Sequence, residues 1–481
     1  MTLVLSAVGL TYEIAAGRVL APYFGTSLST WTAVIATVLG GFSLGSALGG
    51  LVAERPRALA FRNMRCAVVC TAALMAASPV LLVVMHEILA GGTIAMLVTV
   101  FIVFFPASVF VTLPTPFLTK LAIEARPGRQ GSSLGLVMAA GSIGAIFGSI
   151  IAGFVTLPFV GSVATFAICG AATLLCLPFL KHSGLGANHE DRPGYVTPSL
   201  AAGFIGWTAL SGFSVCEFES GLSCLHVVKA GTATVLVSDG VTQAAEPSGD
   251  VVDRTGDPQL SLPYTQWVWA RMDRDLGPDA RVLFIGGGGY SLPSAFLRAQ
   301  PLAEAVVVEI DPLITRVVME NLPRAAAVID AEGYDTARAD EKQSGRMAII
   351  HADGRVFLNE TDMRFDAVVM DAFSSNSVPA HLVTRETFQR LADVVRGPVY
   401  VNLIDVSDGP LARGVFAILN EIYPHVEVVQ SSLDEQGRGN ILLAASTVGF
   451  LPMSALPDGY VRAHISPDRA FTDDRSWSGL R

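Results

Sequence analysis

Charge is what the first two hundred residues lack. Hydrophobic residues make up 51% of the 481-residue chain and charged residues only 15%, and most of the acids and bases come after Glu217. A chain of this length has room for two or three domains, so a single core is not expected. The uneven charge predicts one lipid-facing half and one soluble half. A basic surface is missing too: the net charge is -10 and no lysine-rich tail offsets it. This excludes a nucleic-acid binder, whose phosphate contacts need lysine and arginine. Cysteine is scarce, with six residues (Cys66, Cys70, Cys169, Cys176, Cys216, Cys224), all in or beside the apolar half. Cys66 and Cys70 have helical i, i+4 spacing but no accompanying His or Cys cluster. The cysteines therefore read as small apolar core residues, and no metal is expected.

Apolar runs long enough to cross a bilayer, about 20 residues each, fall near 2–22, 28–53, 66–89, 93–118, 132–156, 158–180 and 198–216. The first holds Glu13 and Arg18, but no basic region or small-residue cleavage site precedes Tyr12 and Glu13, so it reads as a retained helix rather than a signal peptide. Charges at these depths are costly unless paired or facing a cavity. A spacing of five suits no same-helix pair, so partners on other helices are expected, and both a structural bridge and a role in substrate passage stay open. Gly and Ser recur at close-packing spacing in "LGGFSLGSALGG" (39–50) and "GSIGAIFGSIIAG" (141–153), which predicts helix-packing faces.

The loop at 54–65 has four arginines and one acid, and the loop around Lys120, Arg126 and Arg129 is also basic. By the positive-inside rule both are cytoplasmic, as is the N-terminus. A full seventh crossing at 198–216 then places the soluble half outside, whereas nucleotide supply favours a cytoplasmic domain. The expectation is a multi-pass protein of a bacterial-type inner membrane with its catalytic domain in the cytoplasm.

From Leu225 the pattern changes to short alternating strands with glycine turns. After Asp279, apolar strands alternate with helical stretches, as in "RVLFIGG", "AVVVEID", "MAIIHADG", "FDAVVMDAF" and "GPVYVNLID". Such alternation predicts a parallel sheet covered on both faces. The fold class expected is a multi-pass α-helical membrane domain (1–216, about seven helices), a small β domain (217–275), a Rossmann-like α/β domain with a doubly wound sheet (276–450) and a C-terminal tail (451–481). The polar insertion at 330–346 is expected to be a mobile loop or lid.

Within the α/β part, Gly286, Gly287, Gly288 and Gly289 follow a strand and open a helix, so backbone N–H groups can approach a ligand. Glu309 ends the next strand, where an acid can accept both hydroxyls of a ribose. Asp353 and Asp371 end two further strands. Ligands sit outside the carboxyl ends of strands in such sheets, so these four strand ends are expected to line one crevice. The bland alternatives are an N-cap role for Asp371 at a helix near Pro379, a core role for Tyr264 and a surface position for His381.

From about 235 to 446 the chain resembles the spermidine synthases, the polyamine aminopropyltransferases. Overall it is similar to the integral-membrane group that fuses such a domain behind helices; "YEIAAGRVLAPYFG" and "FTDDRSW" resemble that group. "VLVSDGVTQ" implies that Gln243 contacts the nucleotide ligand, and "LPYTQ" that Tyr264 lies near the amine. "IGGGG" (Gly286, Gly287, Gly288), "VVEID" (Glu309) and "HADG" (Asp353) resemble the glycine turn, ribose acid and adenine contact. "MDAFSS" resembles the catalytic Asp-Ser-Ser-Asp segment and gives Asp371. The resemblance implies a class I S-adenosylmethionine methyltransferase-like fold and no prosthetic group. It implies decarboxylated S-adenosylmethionine or S-adenosylmethionine as co-substrate and methylthioadenosine as product. Asp371 would be the base and Tyr264 the positioner of the amine.

The chain departs from that pattern at three positions. Gly289 replaces the aspartate that holds the aminopropyl ammonium, Ser374 replaces the second aspartate of the catalytic segment, and Thr265 follows the tyrosine in place of His or Gln. The partners expected are a lipid bilayer, an adenosyl sulfonium ligand and a polyamine, with no nucleic acid, and a homodimer by analogy with soluble relatives. Competing readings are intramolecular cleavage of the sulfonium ligand, methyl transfer, and a non-catalytic transporter or sensor of nucleosides or polyamines.

Overall fold

A computed structural model of the chain describes residues 1–25, 28–89, 92–180, 196–210, 214–247, 260–335, 345–372, 378–434, 437–453 and 455–475. The chain divides into two compact units, Met1–Cys224 and Leu225–Arg481.

The first unit is helical: α1 (Thr2–Phe24), α2 (Leu28–Ala53), α3 (Arg57–Leu89), α4 (Thr93–Thr112), α5 (Pro114–Glu124), α6 (Gln130–Ile151), α7 (Leu157–Leu174) and α8 (Val196–Leu210). Five stretches among the described residues are long and apolar enough to cross a membrane: Thr2–Phe24, Leu28–Ala53, Arg57–Leu89, Thr93–Glu124 and Gln130–Leu180. The seven runs read from the sequence fall on these five stretches and on α8. The runs at 132–156 and 158–180 lie in one 51-residue stretch, interrupted at Gly161, whose φ of 78° and ψ of 175° no helix contains. The run at 198–216 forms a helix of only 15 residues among those described, about 22 Å at 1.5 Å per residue, short of the ~30 Å hydrocarbon layer.

The small-residue faces do pack helices. A Cβ at Gly41, Gly45 or Gly49 would lie under 3.0 Å from Ser108, Val109 or Leu113 on α4 and the residue that follows it, and one at Gly144 or Gly148 would strike the Leu3 or Ala7 carbonyl of α1. Backbones come this close only where side chains are absent. The opposite surfaces carry Leu44, Leu48, Leu51, Ile146, Phe147 and Phe154, all exposed. Arg18 donates from Nε to the Ser220 carbonyl at 3.2 Å and from Nη1 to that of Leu222 at 3.4 Å. Glu13 Oε2 is buried and has no hydrogen-bond partner among the described residues. One cysteine expectation is overturned: Cys216 and Cys224 are joined as a disulfide, because the chain turns back on itself between them through the short strand β1 (Phe218–Glu219).

The second unit opens with antiparallel strands β2 (Cys224–Ala230), β3 (Ala233–Ser238) and β4 (Val241–Pro247). The segment expected to be wholly β ends in a helix, α9 (Pro263–Asp275), which has proline at its first turn and buries Trp267, Val268 and Met272 at helical spacing. The α/β part follows: β5 (Arg281–Ile285), α10 (Ser291–Ala299), β6 (Glu304–Glu309), α11 (Pro312–Asn321), α12 (Pro323–Glu332), β7 (Gly333–Asp335), β8 (Met347–His351), α13 (Gly354–Glu360), β9 (Ala367–Met370), α14 (Arg385–Val394), β10 (Val399–Asp405), α15 (Pro410–Ile422), β11 (His425–Ser431), β12 (Gly439–Ser446) and β13 (Tyr460–Arg462). Part of the expected lid is therefore regular structure, since residues 330–335 complete α12 and β7; residues 336–344 lie outside the described ones.

The sheet order is β13-β11-β12-β10-β9-β5-β6-β8-β7. Six strands are parallel, from β7 to β10, and β12, β11 and β13 close the edge antiparallel. Successive connections leave β5 in opposite directions, toward β6 on one side and β9 on the other, so the topological switch point lies between β5 and β9. Described residues of the segment expected to be a tail, up to 475, pack as part of the domain. β13 pairs with β11, Ile465 is 1% exposed, and the Phe471 ring fills the place a side chain at Gly414 of α15 would take.

Candidate active site

The ends of β5 and β9 meet at the switch point. Ile285 registers with Met370, the Asp371 N–H donates to the Ile285 carbonyl at 2.9 Å, and Gly286, with φ 101°, sits so close to the Asp371 carbonyl that a Cβ there would lie under 3.0 Å from it. Only glycine fits at this point, for reasons of both φ and space.

The turn is held from below by Glu309, which is 4% exposed. Its Oε2 accepts from the Gly287 N–H at 2.8 Å and the Gly288 N–H at 3.3 Å, and its Oε1 accepts from the Asp311 N–H at 2.9 Å. Burial raises its pKa, and these backbone donors oppose the rise. Two glycine N–H groups expected to face a ligand are therefore committed to Glu309. A carboxylate has about four acceptor positions, so Glu309 has little capacity beyond these three.

Asp371 lies opposite. Tyr264 Oη donates to its Oδ2 at 2.9 Å, and Asn402 Nδ2 to its Oδ1 at 2.9 Å. Asn440 Nδ2 in turn donates to Asn402 Oδ1 at 2.9 Å, so a four-residue chain fixes both carboxylate oxygens. Burial raises the Asp371 pKa, against the two donors. Burial and the neighbouring carboxylate put the Tyr264 phenol well above its ordinary range, so it is a donor at neutral pH. The capping alternative for Asp371 fails, because its side chain faces Tyr264 and Asn402 and the short turn Ala380–Leu382 has no side-chain cap. Tyr264 is equally unlike a plain core aromatic, since its hydroxyl is engaged.

Gln243, Tyr264, Gly286, Gly287, Gly288 and Asp371 line one pocket together with Ser261, Thr265 and Ser291. Thr265 spends its hydroxyl on the Leu262 carbonyl at 2.7 Å. Gly289 faces Ala244 of β4, which leaves no room for a Cβ. Asp353 is set apart, at the end of β8: its Oδ1 caps α13 through the Arg355 and Val356 N–H groups at 2.8 and 3.1 Å, and its Oδ2 lies 2.9 Å from His381 Nε2. His381 thus reaches a predicted site residue while remaining half exposed. Ser374 lies outside the described residues.

Asn402 and Asn440 were not singled out from the sequence. The available signal was a lone asparagine inside the apolar run "VYVNLID", since a polar residue in a buried strand needs a partner; Asn402 is 4% exposed.

Comparison with known proteins finds a family match over part of this unit. The spermine/spermidine synthase domain matches residues 275–402, a span from just before β5 through Asn402. A polyamine aminopropyltransferase of Vibrio vulnificus (strain CMCP6) is 29% identical over 180 residues, covering 37% of this chain and 50% of that protein. Polyamine aminopropyltransferase 2 of Streptomyces coelicolor (strain ATCC BAA-471 / A3(2) / M145) is 25% identical over 352 residues, covering 70% of this chain and 61% of that protein. This chain therefore spans between half and three-fifths of the length of these two relatives. Among solved structures, a probable spermidine synthase from Corynebacterium glutamicum ATCC 13032 is 21% identical, with 50% of this chain and 82% of that chain covered and a TM-score of 0.40. What the comparisons show is therefore a match to the spermine/spermidine synthase domain within the C-terminal part of this chain.

Proposed function

We propose that the protein is a membrane-bound transferase of the polyamine aminopropyltransferase type, acting on an adenosyl sulfonium. The observation that supports this best is Asp371, a buried carboxylate fixed by Tyr264 and Asn402 in a pocket walled by the glycine turn. A binder that does no chemistry has no use for such a group.

In this reading an amine attacks the carbon bonded to the sulfonium sulfur. The C–N bond forms, the C–S bond breaks with its electron pair going to sulfur, methylthioadenosine leaves, and the amine proton passes to Asp371. Tyr264 Oη, as a donor to Oδ2, keeps the other carboxylate oxygen aimed and orients the incoming amine. Gln243 and Gly288 hold the nucleoside end. Glu309 shapes the turn and gives its remaining acceptor capacity to a ribose hydroxyl, and Asp353 with His381 meets the base. The apolar outer faces of the first unit suit lipid, so that unit spans the membrane in several passes.

Ala244 against Gly289 favours a second reading, cleavage without an acceptor or with S-adenosylmethionine itself. The place where an acid would hold the aminopropyl ammonium is filled, so the chain end of the ligand meets no second charge there. The test is mass spectrometry of the detergent-solubilised protein with decarboxylated S-adenosylmethionine, with and without putrescine, and in parallel with S-adenosylmethionine. Methylthioadenosine with spermidine, lost in Asp371→Asn, supports aminopropyl transfer. Methylthioadenosine without an acceptor supports intramolecular cleavage, and tight binding without turnover overturns the enzyme reading.

A further inference from the structure

The sequence alone sets two arguments against each other over the membrane face that carries the second unit. The first unit provides a reference that does not depend on whether α8 crosses. One end of its helix bundle is basic: Arg55 lies in the α2–α3 connection and Arg57 opens α3, Lys120 Nζ donates to the Ala53 carbonyl at 2.7 Å, and Arg126 and Arg129 follow α5. The other end is marked by the α1 C-terminus, where the Tyr23 and Phe24 rings lie 4.8 and 5.5 Å from His86 near the end of α3. α6 runs parallel to α1, since Gly144 meets Leu3 and Gly148 meets Ala7. The Gly161 break therefore belongs to this second end.

The segment that leads into the second unit is fastened at that second, non-basic end. Arg18, six residues before the end of α1, holds the Ser220 and Leu222 carbonyls. Glu219 accepts from the Ser162 N–H at 2.9 Å and from the Ser162 hydroxyl, where the chain restarts as helix after Gly161. Val215, Cys216 and Cys224 are buried in the helical core, and the disulfide closes the loop around these contacts.

We infer that the chain leaves the membrane on the non-cytoplasmic face and that the second unit, beginning at Leu225, resides there. Two independent physical arguments agree. Basic loops stay in the cytoplasm, and they lie at the opposite end of the bundle. Disulfides persist in oxidising compartments and are rare where glutathione and thioredoxin keep thiols reduced. The inference rests on the first unit spanning a bilayer, and it reverses the preference drawn from cofactor supply. It holds whatever reaction the second unit carries. On the aminopropyltransferase reading it adds one requirement: a sulfonium nucleoside is permanently charged and does not partition into hydrocarbon, so a transport step or a reaction on that face must supply it.

The test uses the full chain in bacterial cells, fused after Arg481 either to alkaline phosphatase, which is active only after export, or to green fluorescent protein, which is dark when exported by the general secretion route. The expected result is phosphatase activity with loss of fluorescence; the reciprocal result overturns the inference. Carbonate washing of the membranes is the control for spanning. Protein released by it would overturn the spanning reading on which the topology stands. In a second measurement, cells are quenched in acid with an alkylating reagent and the protein is cut with a Glu-specific protease without reduction. The Cys216 and Cys224 peptides should stay joined until a reductant is added, and alkylation of both as free thiols overturns the oxidising assignment.

Discussion

The Tyr264 hydroxyl and the Asp371 carboxylate, 107 residues apart in sequence, meet at 2.9 Å. Tyr264 stands on the first turn of α9, before the parallel sheet begins, and Asp371 at the end of its fifth strand in chain order. If Asp371 takes a proton from the amine, Asp371→Asn should lower methylthioadenosine formation by about 10²–10⁴-fold, the usual range for a lost general base, with unfolding temperature and ligand affinity close to those of the unmodified protein. Retention of most of the rate in the variant excludes Asp371 as the base.

A pH profile tests the same pair. The base works only as the anion, and burial raises the Asp371 pKa, so activity should fall as pH drops through a value above the ordinary carboxylate range. Tyr264→Phe removes a donor that favours the anion, so the acid limb should shift to higher pH. Glu309 is also raised by burial, but Tyr264 does not touch it; an unmoved limb would therefore assign the titration to Glu309 instead.

Asn402→Leu keeps the volume but leaves both an Asp371 oxygen and the Asn440 amide without their partner. The expected cost is about 1–3 kcal/mol of stability, the usual penalty for unpaired buried polar groups. It should be accompanied by an upward shift of the acid limb in the same direction as for Tyr264→Phe. Denaturant unfolding and the pH profile read the two effects separately.

Gly289→Ala should weaken the domain by about 1–3 kcal/mol, because the new methyl collides with Ala244. Ala244→Gly in the same chain should restore most of that stability, since it removes the atom in conflict. If the double variant is no more stable than the single one, the close approach of β4 to the turn is not what bars a side chain there.

In the helical unit, Gly45→Leu should separate α2 from α4, because a Cβ at Gly45 would lie under 3.0 Å from the Val109 carbonyl. The check is a lowered unfolding temperature in detergent. Gly50→Leu, whose Cβ has open space, is the control and should leave that temperature unchanged.

Much of the α/β part was legible because each buried strand is a continuous apolar run cut by glycine or an acid; of those cuts the glycine turn and Asp371 line the pocket, while Glu309 supports the turn and Asp353 caps α13. Asp371, Tyr264, Gln243 and the glycine turn do converge. Other relationships depend on contacts between distant segments, which no local pattern encodes. The commitment of the Gly287 and Gly288 N–H groups to Glu309, the pressing of Ala244 on Gly289, and the Cys216–Cys224 pairing are of this kind. Hydropathy measures length and polarity but not backbone direction, so it separates the runs at 132–156 and 158–180 without showing that the break falls at Gly161, where φ is positive.

The Phe471 ring against Gly414 carries a consequence for synthesis. α15 cannot complete its packing until the ribosome has passed residue 471, and β13 must already lie along β11 to bring that ring into place. A nascent chain stalled before Phe471 would carry every residue proposed for the chemistry and still lack the closing contact of the domain that holds them.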